Sequence, residues 1–244
     1  MKRVAAKTPR HGLARTLSKL GACSRTQAAQ YAREGRVSVN GRVVRDPETP
    51  VDAGRDRIAL DGREILAAER IYLMLNKPRG YVTTASDERG RDTVYALLEG
   101  ASLPWIAPVG RLDKASEGLL LLTNDSAWAA RITAPASHVE KTYHVQIDRL
   151  PDAALLASLK RGVDEHGERL SAQNASELRR GEKNAWLEIV LDEGRNRQIR
   201  RLLAAHGVGV LRLVRVAIGP VALGPLAKGA FRALDPYEIA KLAL

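Results

Sequence analysis

Val109-Gly110-Arg111-Leu112-Asp113-Lys114-Ala115-Ser116-Glu117-Gly118-Leu119-Leu120-Leu121-Leu122-Thr123-Asn124-Asp125 is the stretch from which the rest of the chain can be read. A loop crowded with ionisable side chains runs straight into four leucines, a fully apolar strand bounded by turn residues. Asp113 is thereby held on a rigid edge where water meets core. A carboxylate so placed can act as a nucleophile or a base without a metal. An Asp in a loop is also at home as a turn or cap residue, and spacing alone leaves both readings open. Asn124-Asp125 reads as turn chemistry ahead of a helix.

Further strands are expected at Ile71 to Leu75, stopped by Asn76-Lys77-Pro78, and at Tyr143 to Ile147, Trp186 to Leu191 and Val210 to Val216. Helical spacing fits 93–99, 126–132, 151–160 and 196–206. Strands and helices interleave without a regular repeat, and no Gly-rich phosphate loop is present, which argues against a doubly wound nucleotide fold. The expected class is α+β, with a mixed, mainly antiparallel sheet flanked by helices. Alternation along Lys141-Thr142-Tyr143-His144-Val145-Gln146-Ile147 turns Tyr143 inward with Val145 and Ile147, as a core ring or as a ring on which a base stacks. His144 faces the other way, toward the surface. In Gly194-Arg195-Asn196-Arg197-Gln198-Ile199-Arg200-Arg201 a turn leads into an amphipathic helix. Arg197, Arg200 and Arg201 share a face that repels itself unless it is solvated or an anion or carboxylate lies opposite.

The net charge of +11 is unevenly spread. Residues 1–45 hold eleven Lys/Arg against the single acid Glu34, which is +10 of that total. A block of this kind is a polyanion-binding module or a solubilising tail, and the commonest intracellular polyanion is nucleic acid. A second basic stretch, Gly194 to Leu234, has eight Lys/Arg and no acid. Within the first block Leu13, Leu17 and Leu20 have helical spacing, and Gly21 stops them. Ser24-Arg25-Thr26-Gln27 has the form of a capping box for a second helix, which Gly35 ends. Asn40-Gly41 between two short apolar runs marks a tight hairpin, and Asp56 to Leu60 is a further strand. Residues 63–70 read as a linker.

No run of about 18 apolar residues exists, so a spanning helix is excluded. The basic start lacks the apolar stretch of a secretory signal, and a cytoplasmic protein is expected. One cysteine, Cys23, forms no internal disulfide, and five scattered histidines offer no zinc spacing. The domain division expected is a basic tail over 1–11, a small module over 12–66 and a larger domain over 67–244.

Gly-Ala-Cys-Ser-Arg at residues 21–25 and Glu-Gly-Arg-Val-Ser-Val-Asn-Gly at 34–41 resemble the S-four-type RNA-binding domain named after a small-subunit ribosomal protein. The resemblance implies that Arg15, Lys19, Ser24, Arg25, Arg33 and Arg36 face RNA. The Gly-Arg-Leu-Asp block, the Glu-Lys-x-Tyr block at 140–143 and Asn-Arg-Gln-Ile-Arg at 196–200 resemble the RsuA-like branch of the ribosomal RNA pseudouridine synthases. This likeness runs from about Leu13 to Leu234. It implies the pseudouridine synthase fold and isomerisation of uridine in ribosomal RNA, of the large subunit ahead of the small. It makes Asp113 the essential residue, Tyr143 the ring against the base, and Arg200 the basic residue paired with Asp113. Arg111 is then expected in the space that the flipped base vacates, with Arg195 and Arg197 also on the RNA. Ser126 stands where Gly often follows, and 196–198 lacks a His found in some branches, which blurs the substrate. The reaction involves neither redox nor hydrolysis, so no cofactor or metal is implied. The expected partner is ribosomal RNA or a pre-ribosomal particle, engaged by a monomer without a membrane. Two alternatives are a noncatalytic ribosomal RNA-binding assembly factor and a methyltransferase with the same module. The latter lacks its Gly-rich loop.

Overall fold

The computed structural model describes residues 10–85, 87 and 89–242, so the basic tail lies outside the described residues up to position 9. The chain falls into two compact units, one running through Ile71 with residues 101–107 and 123–126, the other holding the remainder.

The first unit contains β1 (His11–Gly12), α1 (Leu13–Lys19), α2 (Arg25–Arg33), β2 (Val37–Val39), β3 (Arg42–Val43), β4 (Pro50–Val51), β5 (Ile58–Leu60) and β6 (Arg63–Glu64). Leu13 and Leu17 of α1 meet Ala28 and Ala32 of α2, Val37, Val51 and Ile58, with Cys23 only 6% exposed among them. The capping box forms: Ser24 Oγ accepts from the Gln27 amide at 3.1 Å, and the Gln27 side chain accepts from the Ser24 amide at 3.1 Å. Asn40 and Gly41 adopt φ of 53° and 80°, the pair of left-handed residues that a two-residue hairpin requires. The expected linker from residue 63 instead begins as β6. Asp61 and Gly62, at φ 51° and 77°, make a second hairpin that lays Glu64 opposite Ala59. Asn124 does more than turn the chain. Its side chain accepts from the Ile71 amide at 2.9 Å and donates to the Glu69 carbonyl at 2.8 Å.

The second unit contains β7 (Tyr72–Lys77), β8 (Ala107–Val109), β9 (Glu117–Thr123), α3 (Ser126–Thr133), β10 (Lys141–Ile147), α4 (Ala153–Arg161), β11 (Val163–Glu165), β12 (Glu168–Leu170), β13 (Asn174–Arg180), β14 (Ala185–Leu191), α5 (Gln198–Ala204), β15 (Val210–Ile218), β16 (Val221–Ala222), β17 (Phe231–Ala233) and α6 (Pro236–Lys241). Its main sheet has the order β13-β14-β10-β15-β9-β7-β17, with β8 on β9 and β16 on β15. The β9–β15 pair is parallel, whereas β13–β14, β14–β10, β10–β15 and β7–β17 are antiparallel. The chain is thus α+β with a mixed sheet, as its pattern implies.

All four leucines of β9 are fully buried, Leu119 and Leu121 against Met74, Trp128 and Ile132. Each such side chain contributes about 1.5–3 kcal/mol of transfer free energy. A second core lies where Val145, Ile147, Leu187 and Ile189 meet Leu159 of α4 and Ile199, Leu202 and Leu203 of α5. Three local expectations are corrected. Residues 94–98 form a 3-10 turn rather than an α-helix. Helix 196–206 is shortened to α5, because Arg197 takes a left-handed φ of 49° at its cap. Strand β7 continues through Asn76 and Lys77, both buried, and ends only at Pro78.

Candidate active site

A cavity of about 550 Å³ opens on the core face of the sheet in the second unit, and Arg111, Asp113, Tyr143, Arg195, Arg197 and Arg200 all line it. Residues 87 positions apart in the chain, Asp113 and Arg200, share it because β9 and β15 run side by side.

The loop that carries Asp113 is fastened mainly by backbone carbonyls. Lys77 Nζ, fully buried, donates to the carbonyls of Asp113 at 3.1 Å, Ser116 at 2.8 Å and Pro78 at 3.2 Å. Thr83 Oγ1 donates to the Leu112 carbonyl at 2.7 Å, and the Gly80 amide donates to the Lys114 carbonyl at 2.9 Å. Burial pushes the Lys77 ammonium down to about 8, against the pull of Asp113 and Glu117 and with a further push from Arg215. Asp113 itself stays exposed on this fixed loop.

Arg200 does not form the expected ion pair with Asp113. Its Nη2 donates to the Ala115 carbonyl at 3.2 Å and its Nη1 to the Val210 carbonyl at 3.4 Å, so it grips the same loop through the backbone. Burial, and then the charge of Arg197, hold its guanidinium below the ordinary arginine range, while Asp113 opposes them.

Tyr143 sits half-buried on β10, packed against the core of Val145, Ile147 and Leu187. Arg195 is paired with Glu193 at 2.9 Å. Gln198, only 2% exposed, donates to Glu193 at 2.8 Å and to the Ser171 carbonyl at 3.0 Å, fixing the turn before α5. Arg201 turns away from this group to Glu165 and Glu168, the carboxylates that its face required. His144 faces Glu188 at 3.5 Å on the other side of the sheet.

The residues expected on RNA in the first unit are Arg15, Lys19, Arg25 and Arg33, all exposed, with Ser24 engaged as a helix cap and Arg36. Arg36 is committed elsewhere. It forms a two-pronged pair with Asp61 at 2.9 and 2.6 Å and lies 4.2 Å from the Tyr31 ring centre.

Sequence reasoning missed Lys77, Gln198 and Arg215. Arg215 lines the cavity, is 5% exposed, and donates from Nε to the Leu119 carbonyl at 2.8 Å. A lysine inside an apolar strand, and an arginine two residues after the core residue Leu213, were the available signals.

Comparison with known proteins gives two matching family models: RNA pseudouridylate synthase over residues 71–205 and the S4 domain over residues 12–58. An uncharacterized RNA pseudouridine synthase of Aquifex aeolicus (strain VF5) is 38% identical over 228 residues, covering 93% of this chain and 91% of the relative. The ribosomal large subunit pseudouridine synthase B of Bacillus subtilis (strain 168) is 35% identical over 233 residues, covering 94% of each. A crystal structure of a pseudouridylate synthase superposes with a TM-score of 0.66 at 32% identity, covering 96% of this chain and 99% of the other.

Proposed function

The chain belongs to the RNA pseudouridylate synthase family, and from that premise we propose that it isomerises one or a few uridines of large-subunit ribosomal RNA. The observation that carries the reading is the meeting of Asp113, Tyr143, Arg200 and Arg111 in one cavity beside a carbonyl-anchored loop. The Bacillus subtilis relative, named for the large subunit, supports the choice of RNA. A noncatalytic assembly factor would leave that convergence without a purpose.

The reaction breaks the bond between ribose carbon-1 and nitrogen-1 of uracil, turns the base while it stays trapped, and joins its carbon-5 to the sugar. The uridine must first leave its stack, at about a few kcal/mol, least in a loop or bulge. Asp113 is the reacting carboxylate, held in place from behind by Lys77 and Arg200. Tyr143 packs against the base and serves the late removal of the carbon-5 proton, directly or through water. Arg111 fills the gap left in the RNA, with Arg195 and Arg197 beside it. Residues 12–66 bind RNA and residues 67–244 do the chemistry, in a cytoplasmic monomer that needs neither cofactor nor metal and acts on ribosomal RNA or a pre-ribosomal particle. Among the described residues no helix is long and apolar enough to cross a membrane.

The test is to map pseudouridines in ribosomal RNA from a strain lacking the gene. One or a few large-subunit positions should revert to uridine and return when the gene is restored. Loss confined to the small subunit moves the target, and no loss in either subunit sinks the reading.

A further inference from the structure

The eight basic residues between Gly194 and Leu234 are not equivalent in the fold. Arg195 pairs with Glu193, Arg201 with Glu165 and Glu168, Arg212 and Lys228 with Glu117, and Arg232 with Glu238. Among the described residues, Arg197, Arg200 and Arg215 alone of the eight have no carboxylate within ion-pair distance, and all three line the cavity with Asp113. Arg197 is exposed at its rim, and Arg200 spends its two outer nitrogens on backbone carbonyls. Arg215 is the deepest. It is 5% exposed, and its Nη2 is buried with no hydrogen-bond partner among the described residues.

The sheet register says which way this group faces. Arg215 lies directly opposite Tyr143 in the antiparallel β10–β15 ladder, so the two side chains stand next to each other on the cavity face. On its other side is Gly118, at φ +101°, where a Cβ would come within 2.2 Å of the Arg215 carbonyl oxygen. The strand that follows the Asp113 loop can therefore pair closely with Arg215 only because position 118 has no side chain.

A buried charged donor left without a partner destabilises the protein, and the loss is recovered when a ligand brings the acceptor. The RNA substrate offers two kinds of acceptor. Its phosphates are strongly hydrated and fit the exposed cations at the rim, Arg111 and Arg197. The uracil ring is what enters most deeply, against Tyr143.

We propose that Arg215 holds the detached base, its Nη2 donating a hydrogen bond to a carbonyl oxygen of uracil beside Tyr143. This rests on the placement of the target uridine in this cavity proposed above. When the glycosidic bond breaks, its electron pair goes to nitrogen-1 and is shared with the two ring carbonyls. The sugar carbon is satisfied by an Asp113 carboxylate oxygen or by loss of the neighbouring ribose proton. A cationic donor already aimed at a carbonyl stabilises that charge and keeps the base while it turns. Carbon-5 then bonds to the sugar as the Asp113 oxygen leaves it as carboxylate, or as the ribose carbon-2 proton is returned. Carbon-5 gives up its proton and nitrogen-1 takes one up, so the overall change is isomerisation.

The experiment uses the full chain with an unmodified large-subunit ribosomal RNA transcript tritiated at uracil carbon-5, from which isomerisation releases tritium to water. Arg215→Gln should lower the single-turnover rate at saturating RNA by roughly 10²-fold, as removal of one donor to a developing oxyanion does. Its RNA affinity should stay within roughly twofold. Arg215→Lys, which keeps the charge, should recover part of the rate. Parental rates in both variants, or a loss of affinity that matches the loss of rate, overturn the proposal. A test on the parent protein needs no variant to fold. Transcripts made with 2-thiouridine or 4-thiouridine weaken one acceptor each, and one of them should convert at least roughly tenfold more slowly than uridine. If neither does, the proposal fails. Absence of release by the parent overturns the reading on which the proposal rests, and the proposal with it; equal release by parent and Arg215→Gln overturns the proposal alone.

Discussion

Two stretches of this chain are strongly basic in sequence, and the fold uses them in opposite ways. In the first, every described Lys and Arg from Arg10 to Arg45 is exposed, and only Arg25 and Arg36 reach a carboxylate. In the second, Gly194 to Leu234, carboxylates from outside the stretch meet five of eight, and the other three gather in one cavity. Exposed charges act at a distance and are screened by salt over about 8 Å at physiological ionic strength. Buried ones act on what touches them, and salt reaches them poorly. The first set should therefore govern how RNA is gathered and the second what happens to it.

The largest effect that could break this division is at Asp113. Asp113→Asn keeps volume and removes the charge, so conversion should fall by about 10⁴-fold or more while RNA affinity and its salt dependence stay at parental values. A near-parental rate would take Asp113 out of the chemistry. Tyr143→Phe comes next. It keeps the ring and loses the hydroxyl, so turnover should drop by roughly 10²-fold with little change in affinity; equal turnover would confine Tyr143 to packing.

The exposed set predicts the reverse pattern. Replacing Arg15, Lys19, Arg33 and Arg42 together by Gln should flatten the log-log salt slope of RNA binding by about 2 to 3 units, at about 0.7 per lost contact. The rate at saturating RNA should not move. An unchanged slope would make this block a solubility feature. These substitutions are better made in the full chain than by cutting at residue 66. Residues 101–107 and 123–126 pack in the same unit, and the Trp105 amide donates to the Gly21 carbonyl at 3.0 Å.

Lys77 extends the contrast to stability. Its ammonium is pushed down to about 8 in the fold from 10.5, so the folded state sheds its proton first. In that window the unfolded chain binds more protons, and the parent should gain stability as pH rises from about 8 to about 10.5. Below that range the full penalty of the buried charge applies. Lys77→Met should lack the gain, as measured by urea unfolding at about pH 7.5 and 9.5. Identical pH slopes would mean that Lys77 titrates normally. The smallest effect is expected at Arg36→Gln. With its guanidinium already bound to Asp61, the salt slope should be unaltered, and stability should fall only slightly, because solvent screens an exposed pair. A slope change equal to that of Arg15→Gln would return Arg36 to the RNA surface.

What was legible in the sequence had a local pattern. Four consecutive leucines, the alternation from Tyr143 to Ile147, the Ser24 capping box and the Asn40-Gly41 turn each encode their element within a few residues. The polar edge strand β13 was not legible, because Ala175 is its only fully buried side chain and Glu177, Arg179 and Arg180 carry nothing apolar. The site divides in the same way. Asp113, Tyr143 and Arg200 stand in recognisable blocks. Lys77 was passed over as a strand stop because its partners are main-chain carbonyls up to 39 residues away, and a carbonyl has no signature in sequence. Arg200 was expected on a carboxylate and found on two carbonyls for the same reason.

The lone thiol of Cys23 makes the first unit its own clock. It is 6% exposed in the core between α1 and α2, and burial pushes its pKa up, so a thiol reagent meets neither an accessible nor a readily ionised sulfur while that core is closed. Labelling must wait for a local opening, and its rate reads the free energy of that opening directly when reclosing outruns reaction. As no second cysteine exists, one mass shift on the intact chain times the breathing of the RNA-gathering unit with no signal from the other. Ribosomal RNA that grips the exposed arginines should slow the clock in proportion to its occupancy.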